Sequence, residues 1–547
     1  MTETVNLPDG VVTDNVGLAV LTTLKNYGID TIFGIPGTHN LEFYRHLEPL
    51  GIRAVTARHE QGAGYAADGW SHQSGKPGVV ITTSGPGLLN ALSSAATAFC
   101  ESRPMIVLAP GVPLGSEFAD VGLLHETKDT LGAAAAVVEW ARRVSTPEEA
   151  IAAVHDAFEL FATGRPRPVY IEIPLNVLEG PGPVGEGLLA AREFSAPTAA
   201  GRESIQAAVN VLAEAKSPVI LAGGGSIPAG DHLRELAEFL DAPVITTLNG
   251  KGAIPESHPL ALGSALRFQS AHEVVNNADV VLAIGTKIAE VEMWWGQLEP
   301  KGKLIRVDLL ESQINKNLEA DLGIVGSSAS VVPALVQSLT ETGADEQRNT
   351  PGEERVKKAL AEFATEGETF APDLTAVAKA VAAGVPDNVV ISGDSSQICY
   401  FGTSTNIPVE SAKSFLYMAT YATLGYGLPA AIGAKIASPE RPVVSVLGDG
   451  ALMFSVQEFA TAVEQGVDIV VVVVDNGGYR EIEQNEADRG IPPIGVRLTQ
   501  PNWPALAEAF GGTGHALADA AELPTLVARA VADGGVQLIH VPLALFQ

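Results

Sequence analysis

Asp449 and Asn476 each stand just past a short apolar run, and their types and spacing suit them to hold a metal ion. The runs, Val443 to Leu447 and Ile469 to Val474, are continuous and rich in β-branched residues, as a parallel strand covered on both faces would be. The segment between them has helical spacing, and Ser455 with Glu458 predicts a capping box at its start. Gly448-Asp449-Gly450 follows the first run and Asp475-Asn476-Gly477-Gly478 the second, which is the carboxyl edge where open α/β sheets hold ligands. The spacing, 476 − 449 = 27 residues, is what a strand-helix-strand crossover needs to set Asp449 beside Asn476. One carboxylate, one amide oxygen and backbone carbonyls beside glycines form an incomplete oxygen shell. Mg²⁺ takes such shells and completes them with phosphate oxygens and water, so a bound diphosphate is expected.

G-D-G, then about 27 residues, then an asparagine at the end of a hydrophobic strand resembles the thiamine diphosphate motif of acetolactate synthase, benzoylformate decarboxylase and pyruvate decarboxylase. The resemblance implies that Asp449, Asn476 and the Gly478 carbonyl ligate Mg²⁺, and that Gly448, Gly450, Ala451 and Tyr479 lie around the diphosphate. Asp475 stands where the family usually has a first asparagine, and Arg480 where it often has glycine. Ser395 and Ser396, after the strand Val389 to Ile391, align with residues that hold the diphosphate in relatives. Hydroxyls and N–H groups at a helix start suit that anion, although either serine alone would equally make a plain cap.

A second set of candidates lies in the first third. Glu60 opens a helix after the strand around Val55; by itself it reads as a cap or ion-pair partner. Gly62, Ala63, Gly64, Ala66 and Ala67 follow, small enough to let another surface pack closely, and Gly62 to Ala67 matches a loose dinucleotide fingerprint by letter. By the resemblance, Glu60 is the glutamate that touches N1′ of the cofactor's aminopyrimidine. Leu424 falls at the wedge under the thiazolium, and Ala422 offers its carbonyl to the 4′-amino group, where glycine is commoner. His39 and His125 are candidate proton donors or substrate contacts, and each is equally readable as structural. Leu124-His125-Glu126 replaces the Phe-Gln-Glu usual in acetolactate synthases. With Gly-Ile-Pro-Gly-Thr-His39, it looks closer to 5-guanidino-2-oxopentanoate (2-ketoarginine) decarboxylases. In the segment after the metal loop, carboxylates such as Glu481 could meet a guanidinium and Arg480 a carboxylate; a solvated helix face is the better reading of each residue taken singly.

The elements that must carry these residues are α/β. Strands are expected at 31–33, 53–55, 78–82, 105–108 and 169–173, then at 219–221, 244–246, 280–284 and 304–307, and again in the last third. The end of the chain, Val536 to Leu543, echoes Pro168 to Leu175, so the outer thirds are expected to share one topology, each last strand stopped by a proline, Pro174 and Pro542. Gly223-Gly224-Gly225 reads as a tight strand-to-helix turn more readily than as a nucleotide loop. A linker is expected from Gly180 to Ser204, and a second, ending in a solvated helix, over 341–372. The expectation is three doubly wound parallel-sheet domains: pyrimidine-binding (1–185), central (200–340) and diphosphate-binding (370–547).

The 547 residues carry a net charge of −30, which argues against nucleic acid or anionic membranes as partners and requires the anion site to reverse that field locally. Cys100 and Cys399 are the two cysteines, too few for a disulfide framework or a thiolate zinc site. No H-E-x-x-H occurs, the start is polar and acidic, and no apolar run approaches a membrane span, so a cytoplasmic enzyme is expected. The reading is a thiamine diphosphate- and Mg²⁺-dependent, non-oxidative decarboxylase of a 2-oxo acid. The resemblance implies a homodimer or homotetramer with active sites between subunits. The alternatives are an acetolactate-type carboligase and, resting on the glycines at 62–67 or 223–225, an NAD- or FAD-linked oxidoreductase.

Overall fold

Short β-branched runs separated by helices cannot pair with their sequence neighbours as hairpins; they form parallel sheets with helices on both faces. The computed structural model describes residues 15–182, 185, 187–195, 199–342 and 350–547. Those residues form three six-stranded sheets, parallel throughout. The first contains β1 (Thr31–Gly34), β2 (Arg53–Thr56), β3 (Gly78–Ile81), β4 (Met105–Gly111), β5 (Trp140–Arg143) and β6 (Val169–Pro174), in the order β2-β1-β3-β4-β6-β5. The second contains β7 (Val219–Ala222), β8 (Val244–Thr246), β9 (Ala261–Gly263), β10 (Val280–Ile284), β11 (Lys303–Asp308) and β12 (Leu322–Val325), in the order β12-β11-β10-β7-β8-β9. The third contains β13 (Val390–Gly393), β14 (Phe415–Leu416), β15 (Val443–Gly448), β16 (Ile469–Asp475), β17 (Thr513–Ala516) and β18 (Val536–Pro542), in the order β14-β13-β15-β16-β18-β17.

The outer sheets thus share one strand order, and β6 and β18 end at Pro174 and Pro542. In each, the chain reverses direction across the sheet between its first and third strands. This leaves a crevice beyond the carboxyl ends of β1 and β3, and another beyond β13 and β15. The candidate residues fall at those two places.

Five strands had no sequence signal: β5, β9, β12, β14 and β17. All are edge strands, paired on one side only. They are short or polar, as in Trp140–Arg143 (WARR) and Thr513–Ala516 (TGHA), so the apolar run that marks an inner strand is missing. The segment 341–372 is also corrected. It contains a 19-residue helix, Gly352–Phe370, which buries Val356, Ala359 and Phe363 in the core of the second sheet. Its apolar residues are few but share one face.

The predicted capping box does not form. The β15–β16 crossover carries a short helix, Asp449–Leu452, and a second, Glu458–Glu464, with no side-chain cap. Ser455 Oγ is buried without a hydrogen-bond partner. Glu458 is drawn elsewhere: both its oxygens accept the Arg58 N–H at 3.1 Å, and Thr461 donates to it at 2.6 Å.

The chain packs into two compact units. One comprises Met1–Ala196, Tyr421–Glu440 and Phe454–Val467, and the other the remainder. In the first, helix Glu60–Ser74 packs against helix Gly427–Ala437 so closely that a Cβ on Gly69 or Gly433 would overlap the backbone of Ala430 or Ala66. The crossing is pinned by a buried group: Asp68 pairs with Arg103, and the Tyr426 hydroxyl joins both at 2.7 Å. Removing one partner of a buried pair strands the other charge. Asp68→Ala is therefore expected to lower stability by about 3–5 kcal/mol in denaturant titrations. Asp30→Ala, which breaks the exposed pair with Lys76, should cost under about 1 kcal/mol.

Candidate functional site

At the crevice of the third sheet, β15 and β16 pair in register with Gly448 opposite Val474, which brings the segments after both strands together. Asp449 is 1% exposed. Its Oδ1 lies 3.5 Å from the Asn476 N–H, while Oδ2 has no hydrogen-bond partner. The Asn476 amide presents one end to both Asp449 Oδ1 and the Gly478 carbonyl, 3.1 Å from each. With nitrogen there, the amide donates to both. With oxygen there, three oxygens face one another and need a proton or a cation between them. This donor set, one carboxylate, one amide and one carbonyl, fits a hard divalent cation that keeps open positions for a ligand's oxygens. No cluster of three or more His, Cys, Asp or Glu side chains suited to a metal occurs among the described residues.

Burial, and then the charge of Asp475, push the Asp449 carboxyl up to about 6. Asp475 is tied down at both oxygens. Oδ1 accepts the Gly477 N–H at 3.0 Å and Oδ2 meets His540 Nε2 at 2.9 Å. Sequence gave no hint of His540, which reaches the loop from β18. The turn itself needs glycine: Gly477 and Gly478 have φ of 88° and 135°, and a Cβ on Gly478 would overlap the Val496 carbonyl. Tyr479 donates its N–H to Val496 at 2.8 Å, and its ring lies 3.0 Å from where a Cβ on Gly450 would sit. Ala451 is buried in the short helix beyond Asp449.

Ser395 and Ser396 flank the same crevice after β13. Ser396 Oγ accepts the Gly448 N–H at 3.2 Å, and Ser395 N–H is held by Asp394 at 2.9 Å. Ser396 is backed by Cys399 Sγ at 3.3 Å, whose thiol burial pushes up to about 12, so it stays neutral. Beyond the loop, Gln397 donates to Glu481 at 2.9 Å. Arg480 meets Glu483 at 2.6 Å, a carboxylate of its own helix, and Arg497 meets the same group at 2.7 Å.

The second cluster lies in the unit built on the first sheet. Glu60 is the first residue of helix Glu60–Ser74, whose cap His59 accepts the Gln61 N–H at 3.2 Å. Glu60 Oε2 accepts from Asn90 at 3.0 Å, and Oε1 lies 3.2 Å from where a Cβ on Gly87 would sit. The loops after β1, β3 and β4 bring His39, Ser84 and His125 together: His39 Nδ1 to Ser84 Oγ is 2.6 Å, and the two imidazole centroids are 5.1 Å apart. Ala422 has φ of 52°, the left-handed region that favours glycine. Leu424 is half-buried, and its neighbour Thr423 is tied to the helix of Glu60 through Tyr65 Oη at 3.2 Å.

The glycines of the dinucleotide-like patterns are taken up by packing. A Cβ on Gly62 would meet the Glu458 carboxylate at 2.5 Å, and one on Gly225 would lie 2.8 Å from Gly285 Cα. No described helix is long and apolar enough to cross a membrane.

Three family models match the chain. The N-terminal thiamine pyrophosphate (TPP) binding domain of thiamine pyrophosphate enzymes matches residues 14–132, the central domain 205–335, and the C-terminal TPP binding domain 399–541. The chain is 35% identical over 532 residues to a probable 2-ketoarginine decarboxylase of Pseudomonas aeruginosa, covering 96% of this chain and 93% of that one. It is 33% identical to a probable acetolactate synthase large subunit of Methanocaldococcus jannaschii, covering 90% and 86%. To the acetolactate synthase isozyme 3 large subunit of Escherichia coli it is 30% identical, covering 94% and 91%. With three α/β sheets and all three domain models matched in order, the chain belongs to the thiamine pyrophosphate enzymes.

Proposed function

We propose that this enzyme binds thiamine diphosphate through Mg²⁺ and decarboxylates a 2-oxo acid without oxidation, with 5-guanidino-2-oxopentanoate as the leading substrate. The observation that carries the reading is the convergence of Asp449, Asn476 and the Gly478 carbonyl beside a buried carboxylate oxygen that lacks a partner. These three groups would hold Mg²⁺. Gly448, Gly450, Ala451 and Tyr479 would surround the diphosphate, with Ser395 and Ser396 beside them. When bound, thiamine diphosphate supplies the electron sink that lets the carboxylate of a 2-oxo acid leave as CO₂.

The chain's own groups bind, orient and move protons. Glu60 would share a proton with the pyrimidine N1′ and so fix its tautomer. The Ala422 carbonyl would accept from the 4′-amino group, and Leu424 would hold the two rings together from below. His39 and His125 would supply the proton that replaces CO₂ on carbon. Two such donors favour aldehyde release, as does His125 in the place of the glutamine usual in acetolactate synthases. The acetolactate synthase relatives support a second reading, carboligation of two 2-oxo acids. In this proposal the three sheets are the pyrimidine-binding (1–185), central (200–340) and diphosphate-binding (370–547) domains. The enzyme is a cytoplasmic homodimer or homotetramer with active sites between subunits.

Incubating the holoenzyme with 5-guanidino-2-oxopentanoate or pyruvate and identifying the products separates the readings: 4-guanidinobutanal and CO₂ are expected, whereas acetolactate from pyruvate alone would favour carboligation. Glu60→Gln should lower kcat by roughly 100-fold or more while Mg²⁺-dependent cofactor affinity, measured by calorimetry, changes little. Asp449→Asn should do the reverse first. Saturating cofactor with Mg²⁺ should raise the wild-type melting temperature, an effect of about 2.7 kcal/mol at 100 times Kd, and leave the variant's unmoved.

A further inference from the structure

The three loops that carry His39, Ser84 and His125 are joined by constraints that do not depend on any ligand. Ser84 is 4% exposed, on a loop whose Thr82 N–H is fixed to Leu108 at 3.0 Å. Next to it, Gly85 has φ of 57°, and a Cβ there would overlap the His125 carbonyl. His125 itself has φ of 60°, a conformation that a non-glycine residue adopts at a cost and that turns its ring towards Ser84. Its Nδ1 lies 3.4 Å from Ser84 Oγ and 3.5 Å from Thr83 Oγ1, while His39 Nδ1 lies 2.6 Å from Ser84 Oγ.

We propose that Ser84 is a positioning residue that joins His39 and His125 into one proton-sharing pair, the pair that replaces CO₂ by a proton in the reaction proposed above. The inference rests on that reading for its function but not for its geometry. A serine hydroxyl has one proton to donate and lone pairs to accept, so Ser84 can donate to one imidazole Nδ1 and accept from the other. Two imidazolium ions with centroids 5.1 Å apart repel, so the state with a single added proton is favoured. Burial, then His125, hold His39 below the usual histidine range, opposed by Glu179. The other charged neighbours are occupied or aimed elsewhere. Glu126 accepts the backbone N–H groups of Val121, Gly122 and Leu123, and Glu60 accepts from Asn90. Tyr44, whose phenol burial and Glu60 push up, stays neutral.

The stoichiometry calls for one proton. A 2-oxo acid anion plus one proton gives an aldehyde plus CO₂: the bond to the carboxylate breaks, its electron pair stays on the former carbonyl carbon, and a proton forms the new C–H bond. One imidazolium delivers that proton, and its partner, through Ser84, passes on the replacement taken from solvent.

Ser84→Ala tests this in the full-length holoenzyme. A coupled pair titrates as a unit, with its two apparent pKa values spread apart. The variant should therefore lose about tenfold in kcat with KM changed by less than about threefold, in the range of acid–base effects, and its kcat–pH plateau should narrow from both sides. In parallel, nuclear magnetic resonance of ¹⁵N-histidine-labelled protein, with signals assigned from His39→Gln and His125→Gln, reads the coupling without turnover. In wild-type protein each substitution should shift the titration of the other histidine; in the Ser84→Ala background that shift should shrink to the part due to direct repulsion between the rings. Independent titrations in wild-type protein, or a pH profile that Ser84→Ala leaves unchanged, would overturn the inference. Coupled titrations in a protein that decarboxylates no 2-oxo acid would uphold the pair and overturn only the functional reading.

Discussion

A carboxylate taken out of water at the end of an inner strand is the constraint on which this structure turns. Asp449 is buried, one of its oxygens has no hydrogen-bond partner, and a second carboxylate, Asp475, adds repulsion. An isolated buried charge is too costly to persist, so such a group takes a proton or a cation. The surroundings suit a cation. The Asn476 amide and the Gly478 carbonyl face the same point, the glycines at 477 and 478 permit the turn that aims that carbonyl, and His540 contacts Asp475 from behind. A neutral thiol and hydroxyl, Cys399 and Ser396, fix the Gly448 N–H without adding charge.

The two outer sheets use one strand order for different chemistry. Beyond β13 and β15 the groups are oxygens, hydroxyls and N–H groups, suited to a metal-bound diphosphate. Beyond β1 and β3 they are a carboxylate, two imidazoles and a serine, suited to moving protons. In a chain of net charge −30, the proposed site would bind its anion by borrowing a cation rather than by recruiting arginines. Arg480 and Arg497, which follow the metal loop, are both spent on Glu483.

Much of this was legible in sequence because inner strands of parallel sheets are long apolar runs and because a βαβ crossover fixes the spacing of the residues at its ends. Asp449 and Asn476 are visible for that reason. Edge strands such as β9 and β17 were not, since a strand paired on one side needs no such run. The capping box at Ser455 failed because a partner 400 residues away in the chain, the Arg58 N–H, competes for Glu458. His540 and Ser84 act through contacts made only when distant strands align, so neither role has a local signature. The polar stretch before the third sheet hid a packed helix, because three apolar residues on one face are enough to bury it.

The central claim is that the site built on Asp449 holds the cofactor through a divalent cation. Calorimetric titration of the cofactor-free protein with thiamine diphosphate, with Mg²⁺ and again with excess chelator, tests it most directly. The account requires one cofactor per chain with Mg²⁺ present and little or no binding without it; equal affinity in the chelator, or no binding in either condition, would contradict it.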